Sequence, residues 1–306
     1  VLQRILKKEG PGAVKPLIKS IVAAWHSKHK AVKTLKVLIE KETNSTKNPT
    51  LLFRENTIVP MCIDALIHLS THDLLHATML SHVTEVAKQC NASMEIDPSK
   101  LKDSNQKAVI SRNLKTFLKR MEQVWETILE HEPYIPLQVR EVLGHIKKCA
   151  LKKWPDVPHV ATTGVTIFLF SRLFCPALFD PCSVGLLKDR PCTVSSRNLV
   201  LLSKVLMNLA CFKNFGKKEP FLVLTNSFLE EHNNSDRMRT FINAASDPSR
   251  STYFFTQTTK VFLFVNRSHQ YLSIDGPRPK LKLHGSVLHF SASMAHIQAV
   301  LIKKKD

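Results

Sequence analysis

Only eight glycines occur among 306 residues, roughly a third of the usual share of about 7%. Glycine supplies the positive-φ positions that tight hairpins, barrel corners and phosphate-cradling loops require. A chain this poor in it does not read as a β-sandwich. No GxGxxG or GxxxxGKS run is present to make it a nucleotide binder. Apolar residues make up 43% of the chain and charged residues 23%, a balance that supports a proper buried core. Long helices are the economical solution.

Charge is the second constraint. Forty-four Lys and Arg against twenty-five Asp and Glu give a formal charge of +19. Such an excess points to an acidic partner: nucleic acid, an anionic membrane or an acidic protein surface. The aromatic residues are not interleaved with basic ones in the manner of single-strand binders, which argues against nucleic acid. The seven cysteines are odd in number and form no CxxC, so neither a zinc site nor a disulfide framework is expected. Reduced thiols suit a cytoplasmic chain. The chain starts at Val1 without a signal-peptide pattern, and reads as an excised fragment.

Apolar spacing divides the chain into helices. Ala13 to Glu42 reads as two basic helices. A polar stretch, Thr43 to Thr50, leads into Leu51-Leu52-Phe53-Arg54, and from Ile58 a helix runs toward His68. Ser70-Thr71-His72-Asp73 offers a stop and a fresh cap. The clearest amphipathic pattern is Ile110, Leu114, Phe117, Leu118, Met121, Trp125 and Ile128, ended by Pro133 and Pro136. Val139 to Leu151 follows, closed by Trp154-Pro155. Val165 to Leu178 is apolar on every face, so a central buried helix is expected there; it is too short for a membrane span. Ser195 or Ser196 is placed to cap the next helix, through Leu209. Phe221 to Phe241 reads as helix broken at Asn233-Asn234. After Pro248 short β-prone runs appear, Tyr253–Phe255 among them, with a last helix from Ser293. The expected organisation is an all-α domain over 1–248 and a short mixed β/α tail over 249–306, which reads as truncated.

Two arginines are oddly placed. Arg54 follows Phe53 in a loop, where the ring can anchor the chain while the guanidinium points outward. Arg172 lies inside the most apolar helix, where an unpaired charge costs several kcal/mol (about 3–5). It must donate to carbonyls or a carboxylate, or reach the surface at a groove.

The sequence around them resembles a known family. Leu52-Phe53-Arg54-Glu55-Asn56-Thr57 is similar to the finger loop of Ras GTPase-activating (RasGAP) domains. Phe170-Ser171-Arg172-Leu173-Phe174-Cys175-Pro176-Ala177 is similar to that family's Phe-Leu-Arg-x-x-x-Pro-Ala signature. Met94 to Leu101 (MEIDPSKL), Lys153-Trp154-Pro155, Ser203 to Ala210 with Phe215 to Pro220, and Asp236-Arg237-Met238 match further stretches in order. The register holds from about residue 51 to 245.

The resemblance implies an elongated all-helical domain whose basic groove receives GTP-bound Ras. The chain would not be an enzyme by itself: it would supply Arg54 in trans as an arginine finger, with Arg172 bracing the finger loop. GTP and Mg would belong to the partner, and no cofactor or metal of its own is implied. Phe53, Ser171, Lys204, Asn208, Cys211 and Lys217 would form the GTPase-binding surface. The expected location is the cytoplasm, at the inner face of the plasma membrane. The chain departs from the family pattern at Ser171, where a leucine is usual, at Cys211, where asparagine is usual, and at Ile58-Val59-Pro60-Met61 after the finger. These departures keep open a preference for Rap, or a small-GTPase-binding module that is catalytically weak or inactive. A basic helical scaffold at the membrane or on nucleic acid is a third reading, which the context of Arg54 disfavours.

Other constellations carry less. His68, His72 and His76 have the spacing of a metal face, but Ser70-Thr71 is expected to break the helix between them. Cys175 and Cys182 lack a nearby base and read as inert thiols. Lys147-Lys148 and Lys152-Lys153 read as solvated pairs unless they line the groove. Lys15, Lys19, Lys28, Lys30, Lys33 and Lys36, with Lys303–Lys305, are the lysines that could meet an anionic membrane.

Overall fold

Apolar residues recurring every fourth position write the first helices of the fold. In α2 (Pro11–Ser27) Val14, Ile18 and Val22 are buried, and in α3 (Ala31–Ser45) Ala31, Leu35, Ile39 and Thr43 are buried. A short α1 (Leu2–Glu9) precedes them. The computed structural model describes the backbone of residues 2–55, 57–101, 105–230 and 233–250, and beyond these only 263–265, 270–275, 280–283 and 286–289. The chain divides into two units, Val1–Thr252 and Tyr253–Asp306.

The first unit is all-α. Helix α4 (Ile58–Ser70) and α5 (His72–Lys88) meet at a 73° bend. Thr71 makes that corner, its hydroxyl donating back to the Ile67 carbonyl at 2.8 Å instead of capping α5. The break separates His68 from His72, as the Ser-Thr pair suggested. Helix α6 (Gln106–Glu130) buries Phe117, Met121, Val124, Trp125 and Ile128 along one stripe. Helix α7 (Leu137–Lys153) buries Val139, Val142, Leu143, Ile146 and Ala150.

The apolar segment forms a helix of 21 residues, His159–Phe179, longer than the spacing indicated. It comprises α8 (His159–Thr166), a π-helical stretch (Ile167–Phe174) and α9 (Cys175–Phe179). By length and composition alone it could cross a membrane, contrary to the expectation that it is too short. However, 61% of its apolar window is buried inside the protein. It packs against α4, α5 and α7, and against α10 (Thr193–Ala210) and α12 (Asn234–Ala245). The cap of α10 is Cys192, not Ser195 or Ser196. Between α10 and α12 lie a 3-10 turn (Pro220–Thr225) and α11 (Asn226–Glu230), with Asn233 left-handed at φ 53° where the break was expected.

Close approach sets the helix spacing. A Cβ on Gly164 of α8 would lie 2.8 Å from Ile146 Cγ2 of α7, and one on Gly144 would lie 2.5 Å from the Ser246 carbonyl oxygen. At the centre, Trp125 stacks obliquely on Phe170 and edge-on to Phe241, and its Nε1 donates to Asn234 Oδ1 at 3.0 Å. Arg140, fully buried in α7, pairs with Glu132 at 2.6 Å and donates to the carbonyls of Ile135, Glu132 and Ala244. The charge is thus compensated on every side.

In the second unit the described backbone is four short antiparallel strands in sequential order: β1 (Leu263–Val265), β2 (Gln270–Asp275), β3 (Lys280–Leu283) and β4 (Ser286–His289). The Tyr253–Phe255 run and the helix expected from Ser293 lie outside the described residues. The mixed tail is therefore not part of the fold assignment, which rests on the helical unit.

Candidate functional site

The loop between α3 and α4 is built to turn one arginine outward. Asn48 Oδ1 accepts from the Thr50 backbone N–H at 2.9 Å and starts a 3-10 turn at Pro49. The Arg54 N–H then donates to the Leu51 carbonyl at 3.1 Å. Phe53 sits at φ 57°, the left-handed region that a bulky residue enters at a cost of about 1–3 kcal/mol. Burial holds it there: its ring is 1% exposed and packs on Phe168, 5.7 Å between centroids. Phe53 is thus an anchor of the loop and offers no surface to a partner, contrary to its place in the expected binding set. Arg54, the next residue, is exposed.

Both ends of the loop are fixed. Lys153 Nζ donates to the carbonyls of Thr43 (2.7 Å), Asn44 (2.9 Å) and Thr46, closing the C-terminal end of α3 where the helix dipole favours a cation. Thr57 Oγ1 donates to Glu42 Oε1 at 2.6 Å. Lys153 is therefore no solvated lysine. Its neighbour in the expectation, Lys147, donates to Asn243, while Lys148 and Lys152 are exposed; none of the four lines the cleft described below.

The second arginine comes from the π-helical stretch. The Cys175 N–H bonds to the Phe170 carbonyl, five residues back, so the turn is widened by one residue. Leu169, Phe170, Leu173 and Phe174 remain buried, while Ser171 is exposed and Arg172 half-buried. Arg172 Nη2 donates to the Phe53 carbonyl at 3.2 Å, and its guanidinium lies over the Phe168 ring. The charge inside the apolar helix is accounted for by a carbonyl of the Arg54 loop.

An open cleft of about 360 Å³ lies where the loop, the π-helical stretch and the end of α10 converge. Arg54, Ser171, Arg172 and Cys211 line it, with Thr163, Thr166, Ile167 and Met207. The last four were not singled out from the sequence. Thr163, Ile167 and Ser171 are among the incompletely buried positions of the apolar helix, at i, i+4 and i+8. The hydroxyls of Thr163 and Ser171 in a largely apolar run were the available signal. Cys211 is exposed at the end of α10. Desolvation at the cleft wall pushes its thiol upward, against the opposing charges of Lys213 and Arg54.

The remaining expected binding residues stand apart. Asn208 is half-buried beside Met207, and its carbonyl accepts from the Lys213 N–H. Lys204 is engaged within the chain, in an ion pair with Glu219. Lys217 is exposed on the loop after α10, outside the cleft lining. Among the membrane-facing lysines, Lys36 is tied to Glu141 at 3.0 Å; Lys15, Lys19, Lys28, Lys30 and Lys33 are exposed. Cys175 is buried, which drives its thiol strongly upward. Among the described residues, Glu40, His145 and Cys149 bring three metal-capable atoms within 4.8 Å, a grouping across α3 and α7 that sequence spacing did not suggest.

The other matched stretches turn out to brace the helices. Arg197 grips Glu95 with two hydrogen bonds (2.7 and 3.2 Å), and Asn198 clamps the Met94 N–H and the Ala92 carbonyl. Asn113 of α6 donates to the Glu95 carbonyl. The stretch MEIDPSKL thereby joins α6 to α10. Arg237 pairs with Glu126 at 2.6 Å, linking α12 to α6.

Residues 34–211, more than half of the chain, match the family described as GTPase-activator protein for Ras-like GTPase. The chain belongs to the RasGAP family. The matched span takes in the Arg54 loop, the π-helical stretch and α10, and ends at Cys211. Relatives include Ras GTPase-activating protein gap-2 of Caenorhabditis elegans, 31% identical over 77% of this chain, and the probable Ras GTPase-activating-like protein ngap of Dictyostelium discoideum, 30% identical over 74%. Human Ras GTPase-activating protein 1 is 27% identical over 67%. This RasGAP chain spans about a fifth to a quarter of the length of these relatives: 19%, 25% and 19%.

Proposed function

We propose that this chain accelerates GTP hydrolysis by a GTP-bound Ras-family GTPase, with Arg54 entering the partner's active site. The observation that carries the reading is the hydrogen bond from Arg172 to the Phe53 carbonyl beside an exposed Arg54, at the rim of a cleft. Transfer of the γ-phosphoryl group to water builds negative charge on the β–γ bridging and γ oxygens. A guanidinium brought from outside offsets that charge and screens it from solvent. The backbone on both sides of Arg54 is already fixed, so little ordering is left for the moment of docking. Arg172 acts as the brace: it holds the carbonyl that precedes Arg54 and keeps its own charge satisfied by doing so. GTP and Mg belong to the GTPase. The exposed lysines of α2 and α3 suit an anionic membrane, and hence work at the cytoplasmic face of the plasma membrane.

Two observations favour a second reading, a GTPase-binding module of low catalytic power. Ser171 presents a hydroxyl to the cleft, and Lys204 is neutralised by Glu219. Single-turnover GTP hydrolysis by a panel of Ras and Rap proteins, with and without the chain, separates the two. Stimulation of hydrolysis that depends on Arg54 supports the first reading; binding of the GTP-bound form without stimulation supports the second.

A further inference from the structure

Away from the cleft, two cysteines from distant parts of the chain meet at the start of α10. Cys90 lies just beyond the end of α5, and Cys192 immediately precedes α10. The Cys90 thiol donates to the Ala87 carbonyl at 3.8 Å and lies in side-chain hydrogen-bond contact with Cys192. Cys192 Sγ is 3.3 Å from Ser195 Oγ, and that hydroxyl reaches the same Ala87 carbonyl at 3.5 Å. The four groups close a ring between the end of α5 and the first turn of α10. Cys90 is exposed and Cys192 half-exposed, so small solutes reach both.

The two sulfurs are not equivalent. Hydrogen bonding with Cys90, then with the Ser195 hydroxyl and the Ser195 and Val194 N–H groups, lowers the Cys192 thiol to about 7. The same contact holds Cys90 above its ordinary value. Cys192 is therefore the more readily ionised and more nucleophilic sulfur of the two, with the Cys90 thiol beside it. Nothing in the GTPase reading uses this pair: the cleft is built at the opposite end of α10, about 27 Å away at 1.5 Å per residue.

We propose that Cys90 and Cys192 form a redox-responsive dithiol, which a peroxide converts into a disulfide stapling α5 to α10. The Cys192 thiolate attacks the peroxide, forming an S–O bond as the O–O bond breaks, and hydroxide leaves. Cys90 then attacks the oxidised sulfur: the S–S bond forms, the S–O bond breaks, and the thiol proton leaves with the oxygen as water. Overall two thiols and one hydrogen peroxide give one disulfide and two waters. The staple closes a loop of about 100 residues, the case in which a crosslink restricts the unfolded chain most.

The test treats the reduced protein with hydrogen peroxide and maps crosslinked peptides by mass spectrometry after blocking free thiols. The expected product is a Cys90–Cys192 disulfide that raises the melting temperature by about 5 °C or more and is reversed by dithiothreitol. Cys90→Ser should leave Cys192 as a sulfenic acid trapped by dimedone, whereas Cys192→Ser should abolish both products. Cys182→Ser, remote from the ring, should retain the crosslink. Peroxide oxidation of Cys192 in the wild-type protein without a crosslink would overturn the proposal. So would a crosslink through another cysteine, or an oxidised form that melts no higher than the reduced one.

Discussion

Arg54 has an exposed side chain on a backbone fixed by its neighbours, so truncating it subtracts a charge and little else. Arg54→Ala should lower stimulated single-turnover hydrolysis by about three decades or more, within the established range of about 10³–10⁵ for fingers supplied to Ras-type GTPases. The melting temperature should stay within about 1 °C, since exposed substitutions of this kind cost little. Retention of most of the activity would sink the assignment of Arg54. Ser171 poses the complementary question of fit. It is exposed in the cleft where the family pattern has leucine. Adding that apolar surface should contribute about 1–2 kcal/mol if it is covered on docking. Ser171→Leu should then tighten binding of Ras carrying a γ-phosphate mimic by about five- to thirty-fold, with the saturating rate little changed. A larger gain for Rap than for Ras would mean that the serine fits a different switch region.

Among the elements, α7 approaches its neighbours closely at two glycines, its own Gly144 and Gly164 of α8. Gly144 faces a backbone oxygen, which cannot rotate away as a side chain can. Gly144→Ala should therefore destabilise the protein by about 1–3 kcal/mol, lowering the melting temperature by several degrees in a thermal scan. No loss would mean that the end of α12 gives way freely. The helices themselves were legible, because amphipathic spacing is a local property: Phe117, Met121, Trp125 and Ile128 announce α6 without reference to anything distant. The Arg54 loop and Arg172 stood out for another reason, the resemblance of the residues around them to the RasGAP family pattern, since either arginine taken alone reads as an ordinary one. The rest depended on partners far along the chain. The widened turn at Ile167–Phe174 leaves no mark in an apolar run. Lys153 reads like any helix-end lysine until the end of α3 is folded against it. Arg140, next to Val139 on the buried face of α7, was not singled out from the sequence, and Ala244 as its acceptor leaves no local sign.

For the molecule as a whole, the excess of nineteen positive charges acts at a range that no single contact covers. Charges spread over an exposed surface steer an acidic partner toward it and are screened over about 10 Å at 0.1 M salt. Raising the salt from about 0.02 to 0.3 M should depress stimulated hydrolysis at low concentrations of the chain, with a much smaller effect at saturation; stopped-flow measurement of both regimes checks this. An equal loss at saturation would place the salt effect in the chemistry instead of the encounter. The same molecule treats its Arg54 loop quite differently from its diffuse charge. Lys153 at one end, Thr57 on Glu42 at the other and Arg172 on Phe53 between them leave the loop almost nothing to lose when it docks. Its contribution to the barrier should accordingly appear in the activation enthalpy. Slackening one tether by Lys153→Met, far from any reacting atom, should transfer part of the barrier to entropy. The slope of rate against temperature would then flatten as the rate itself falls, a signature that losing the guanidinium would not produce.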